Sequence, residues 1–190
     1  MPLVDKFSIV LLGLILGAQV CRRSFFLRYA AFAWRLSAAG ILGVSLYWAW
    51  QQYRLWQADA LLKFFFPPYQ GWGYFFSYVS QRIFAPWLIS LLAAIFISRV
   101  AGFFNRKYGE RFFESEEIPL MALGIFLTGY PGFLFYLILI FIGGILLSTF
   151  YFLFSRGRAP LYYFWLPMAI SAILIKNWLI PQPWLDIFIL

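Results

Sequence analysis

Histidine is absent from the sequence and cysteine occurs once, at Cys21. Without histidine the usual zinc and haem ligation and the Ser–His nucleophile pair are excluded. A lone cysteine supplies neither an intrachain disulfide nor a CxxC site. Charge is scarce too: Asp, Glu, Lys and Arg make up 12% of the chain, where a soluble domain carries about 25%. Any catalysis would therefore have to use carboxylates, and no metal or organic cofactor is expected.

What is abundant is apolar surface, with 64% hydrophobic and 24% aromatic residues over 190 positions. Lipid, not water, is the solvent this composition suits, and the bilayer is the first expected partner. A crossing needs about 20 mostly apolar residues, so the length predicts an all-α, polytopic helical bundle of about six transmembrane helices. A seventh fits if residues 51–82 conceal a further crossing. The expectation is one membrane domain over 1–190. The net charge of +8 does not indicate nucleic acid, because the basic residues punctuate the apolar runs and form no continuous stripe.

The first run, Phe7 to Val20, ends at Cys21-Arg22-Arg23 without a small-x-small cleavage pattern and reads as a retained helix over about 4–20. A second helix is expected over about 30–50, with Arg35 snorkelling near a membrane face. Residues 51–82 mix Arg54, Asp59, Lys63, Pro67-Pro68 and Gly71 with many aromatics. Later helices are expected at about 84–101, from Ile118 to the turn Gly129-Tyr130-Pro131-Gly132, at 133–154 and at 161–176, with an interfacial tail beyond Asn177. Eight tryptophans, at 48, 50, 56, 72, 87, 165, 178 and 184, read as an interfacial belt. The pairs Gly40/Gly43, Ala93/Ala94 and Gly143/Gly144 read as close helix contacts.

Counting Lys and Arg in alternate loops puts Arg22, Arg23, Arg28, Arg99, Arg106, Lys107, Arg111, Arg156 and Arg158 on one side. Lys6, Arg54, Lys63, Arg82 and Lys176 fall on the other. The positive-inside rule makes the first set cytosolic.

Glu110, Glu114 and Glu117 are spaced i, i+4 and i+7 and share a face if a helix includes all three. They form either an acidic site at the mouth of the fourth helix or its electrostatic cap. In the second case Ser115 caps the helix, Glu116 and Glu117 complement its dipole, and Arg111 neutralises a neighbour.

Over 106–176 the order of segments resembles the integral-membrane aspartyl proteases of type IV prepilins and archaeal preflagellins, the GxGD proteases. The residues that carry the likeness begin with Arg106-Lys107-Tyr108-Gly109-Glu110-Arg111 and Glu114-Ser115-Glu116-Glu117-Ile118-Pro119-Leu120-Met121-Ala122-Leu123-Gly124. They continue with Phe126-Leu127-Thr128-Gly129, Gly143-Gly144, Arg156 to Arg158, and Pro160-Leu161-Tyr162-Tyr163. The motif itself is altered: Glu114 and Glu116 replace its glycines, Glu117 stands where the catalytic Asp belongs, and Pro119 replaces its lysine.

The resemblance implies an endopeptidase of a prokaryotic plasma membrane that removes a basic leader from a pilin-like precursor peptide at the cytosolic face. Aspartyl proteolysis needs two carboxylates that share a proton. On that reading Glu117 and Asp59 are the acid pair. Glu for Asp displaces the carboxyl by about one carbon–carbon bond, about 1.5 Å, and a misplacement of about 1 Å can cost on the order of 10²-fold in rate. The alternative for Asp59 is an interfacial acid paired with Arg54 or Lys63. For the chain, the alternative is a non-catalytic membrane subunit, either a degenerate peptidase relative or an assembly or transport component.

Overall fold

The computed structural model describes residues 3–21, 23–109, 113–114, 117–154 and 161–178, with backbone alone over 23–31. The protein is an all-α integral membrane protein. In order come α1 (Leu3–Cys21), α2 (Arg23–Ala58), a 3-10 turn (Leu62–Phe65), α3 (Gly73–Val79), a π-turn (Ser80–Phe84) and α4 (Ala85–Lys107). After these come α5 (Glu117–Thr128), α6 (Gly132–Phe154), a second 3-10 turn (Leu161–Tyr163) and α7 (Trp165–Trp178). Among the described residues, three stretches are long and apolar enough to cross a membrane: Leu3–Cys21, Gly73–Lys107 and Gly132–Phe154.

The short helix α5 is the axis of the bundle. Every residue from Leu120 to Thr128 is buried, as expected of a helix that is apolar all round. It packs along α4 and α7, with α6, α1 and α2 completing the enclosure. Pro119 is tolerated because it lies in the first turn, where no helical partner awaits an N–H. Gly129 stops the helix at φ +63°, and a Cβ there would meet the Trp87 ring at 2.9 Å. The Tyr130 N–H donates to the Pro86 carbonyl at 3.2 Å, tying the turn to α4.

Close approaches set the other crossings. A Cβ on Gly40 would fall 2.5 Å from the Phe7 ring, and one on Gly143 would fall 2.6 Å from Phe164. A Cβ on Gly124 would strike Tyr136. The partners expected beside two of these glycines differ, since Gly43 and Gly144 face open space. In α7 the buried residues Trp165, Leu166, Ala169, Ala172 and Ile173 recur at helical spacing and face the core. The far half of α6, including Phe141, Leu146, Phe150 and Phe154, is exposed and offers a surface suited to lipid.

Residues 51–82 contain no separate crossing. Instead α2 is a single helix of 36 residues, and Gly73–Lys107 is a continuous helical rod of 35. Because Gly40 packs on Phe7 near the start of α1, the remainder of α2 runs past that level by about 27 Å. The overhanging parts of both rods hold each other through a second core of Trp56, Phe66, Phe75 and Val79. Rings interlock there: Tyr53 lies 5.4 Å from Phe66 and 5.9 Å from Phe75, and Trp56 lies 4.9 Å from Tyr78. The aromatic density that obscured any helical period in this region is what builds the arm.

The tryptophan belt is likewise only partial. Trp48, Trp50, Trp72 and Trp178 are exposed, whereas Trp165 and Trp56 are buried at 2% and 5% exposure. Trp165 fills the main core beside Phe113 and Trp56 fills the arm. The turn 155–160, the tail beyond 178 and Trp184 lie outside the described residues.

Candidate functional site

The elements alternate in direction and so define two ends of the bundle. Cys21, Lys107, Glu117, Phe154 and Leu161 mark one end, and Leu3, the 129–131 turn and Trp178 mark the other. Glu117 is at the first end, opens α5 and is 4% exposed. Its Oε2 accepts the Glu114 N–H at 3.2 Å, while its own N–H donates to the Glu114 carbonyl at 3.0 Å. A carboxylate reaching back over three residues holds that amide and lies at the positive end of the helix dipole.

The preceding loop is clamped to α4. Asn105 Nδ2 donates to the Phe113 carbonyl at 2.8 Å, and the Phe113 N–H donates to Asn105 Oδ1 at 2.9 Å. Beside α5, a groove is lined by Trp34, Ala94, Ser98, Arg99, Ile118 and Pro119. Arg35, the neighbour of Trp34, is exposed, in keeping with snorkelling. Glu114 and Glu117 do not share a helix face. Glu114 precedes the helix, which begins at Glu117, and Glu110, Arg111, Ser115 and Glu116 lie outside the described residues.

Asp59 is elsewhere. It follows the last residue of α2 and is exposed. Its Oδ1 accepts the N–H groups of Leu61 at 2.8 Å and Leu62 at 3.0 Å, the geometry of an Asx turn. The amides of Leu62 and Leu61 hold its carboxyl below the usual aspartate value. Trp34 stacks on Phe126 at 5.7 Å and lines the same groove as Ile118, so it marks the depth of α5. From Trp34 to Asp59 the chain travels on the order of 37 Å along α2. The structure therefore does not bring Asp59 and Glu117 together.

At the opposite end it assembles a polar cluster that the sequence reading did not pick out. Asp5 is 2% exposed, and Lys176 Nζ reaches its Oδ1 at 2.8 Å. Asn177 Nδ2 donates to its Oδ2 at 2.8 Å and to the Ile173 carbonyl at 2.8 Å. The carboxylate is thus neutralised and both its oxygens are engaged. At the far end of α1, Gln19 Nε2 donates to the Tyr162 carbonyl at 2.6 Å. Polar contacts therefore fix α1 at both of its ends.

Asp5, Lys176 and Asn177 also wall a pocket of about 460 Å³. Trp48 and Gln52 of α2, Gln81 and Arg82 of the π-turn, Trp87 of α4 and Tyr130 close it. The π-turn has a local cause. Pro86 has no N–H to offer the Arg82 carbonyl, and one residue earlier the Ala85 N–H reaches back to the Ser80 carbonyl. Among the described residues no group of three acids or thiols is placed to hold a metal ion. Compared with protein-family models, curated proteins and solved structures, the chain has no match.

Proposed function

We propose that this chain is a non-catalytic membrane subunit built on a frame like that of the prepilin peptidases, with its Cys21 and Lys107 end in the cytosol of a prokaryotic plasma membrane. The observation that carries the reading is the separation of the two acids. Two carboxylates that share a proton must be in hydrogen-bond reach, directly or through one water. Asp59 instead organises its own turn at the arm, and Glu117 holds the backbone of Glu114. The sidedness rests on charge: Arg99, Arg106 and Lys107 gather toward one end of α4, at the end where Arg23 opens α2.

The test uses the full chain in proteoliposomes with a pilin-like precursor carrying a basic leader. The expected result is no leader removal by the wild type, together with labelling of cysteines introduced at 59 and at 117 from opposite faces of the membrane. Leader removal that disappears in Glu117→Gln or Asp59→Asn would overturn the proposal and establish a peptidase.

A further inference from the structure

We infer that the pocket beside Asp5 binds the phosphate headgroup of an anionic phospholipid. Depth is the first argument. Helix α1 has 19 residues, about 28 Å at 1.5 Å per residue, which matches a hydrocarbon core of about 30 Å. Val4 and Asp5 in its first turn, and Lys176 and Asn177 in the last turn of α7, therefore lie where lipid headgroups begin. Beyond that level the two long rods continue upward and supply the remaining walls.

Charge is the second argument. The lining holds Asp5 against Arg82 and Lys176, one net positive charge. Asp5 is already satisfied by Lys176 and Asn177, so the guanidinium of Arg82, exposed on the π-turn, is the group left to meet an incoming anion. A planar guanidinium offers two parallel N–H donors to a phosphate. Gln52 and Gln81 add amide donors at the rim.

Shape is the third. A volume of about 460 Å³ is ample for a phosphoglycerol head. Trp48, Tyr78, Trp87 and Tyr130 line it with rings that combine an apolar body with a polar edge, as suits the boundary between headgroup and acyl chain. The π-turn that presents Gln81 and Arg82 is itself a device that recurs at functional sites.

The test is native mass spectrometry of the full chain in detergent with an equimolar mixture of phosphatidylglycerol and phosphatidylcholine of identical acyl chains. One phosphatidylglycerol is expected to remain bound in preference to phosphatidylcholine. Arg82→Gln, an exposed position that leaves the core intact, is expected to weaken retention about tenfold, the scale of one hydrogen bond to a charged group. Arg82→Lys should restore part of it, and Arg54→Gln, an exposed control on the same arm, should change nothing. Equal retention of the two lipids, or equal loss in Arg82→Gln and Arg54→Gln, would overturn the assignment. Displacement of the lipid by an equal concentration of inorganic phosphate would identify a free anion as the occupant and also refute it.

Discussion

Removing one member of the Asp5–Lys176 pair should destabilise the bundle far more than removing both. The Asp5 side chain is 3% exposed and that of Lys176 12%, so each charge relies chiefly on the other. Asp5→Asn keeps the shape and an oxygen for Asn177, but strands the ammonium of Lys176. Lys176→Met strands the carboxylate in turn. An uncompensated buried charge costs about 3–5 kcal/mol, and the position of Lys176 beside a pocket mouth argues for about 3 kcal/mol. The double variant Asp5→Asn/Lys176→Met buries no charge and should approach the wild type, so two single losses of about 3 kcal/mol each would vanish together, a coupling of about 6 kcal/mol across the cycle. Reversible unfolding in mixed micelles, followed by circular dichroism as the denaturing detergent fraction rises, measures all four proteins. Additive single effects, with a coupling below about 0.5 kcal/mol, would refute the view that the two charges depend on each other.

Three other expectations follow from the same geometry. Asn105→Ala leaves the Phe113 N–H and carbonyl without their amide clamp and should cost about 1–3 kcal/mol in the same unfolding assay, with Asn105→Asp recovering only the acceptor half. The Tyr136 hydroxyl is buried with no hydrogen-bond partner, so Tyr136→Phe should be neutral or stabilising. Gly124→Ala, by contrast, should cost about 1–3 kcal/mol through overpacking, and a reversed order of the two would contradict the packing described. Finally, because the Asp59 carboxyl is held below 3.8, the turn it organises should persist above that value and be lost as pH falls through the depressed midpoint. The amide shifts of Leu61 and Leu62, titrated by NMR in micelles, should move with a midpoint below 3.8, and Asp59→Asn should remove the titration.

Legibility in the sequence followed the density of apolar runs. Helices α1, α5 and α6 lie within a few residues of where hydrophobic runs and the Gly129 turn placed them, because a run bounded by charge or by glycine has one reading. The rods of α2 and Gly73–Lys107 were underestimated at their arm ends, where Arg54, Gln51 and Gln52 break the apolar run while rings on neighbouring elements supply the packing. Trp165 misled for a related reason. Position near a run end suggested an interface, but the 3-10 turn at Leu161–Tyr163 carries it inward against Phe113. The Glu117 backbone contact was half visible, since an acid opening a helix is a familiar cap. The Asp5 cluster was not visible at all. Its partners stand 171 and 172 positions away, and no local pattern in a single sequence registers a pairing across the whole chain.

The brevity of α5 bears on how the protein enters the bilayer. Twelve helical residues reach only about 18 Å, too little to bridge about 30 Å of hydrocarbon without help. Its backbone ends would meet acyl chains if it partitioned alone, at a cost of several kcal/mol for each unsatisfied group. The tight turn at Gly129 joins it directly to α6, which is long enough to cross. Biogenesis should therefore deliver the two as one hairpin, with α6 supplying the insertion energy and α4 already waiting as a docking strip. In this molecule the most sheltered helix is the one that depends most on the order of its neighbours' arrival.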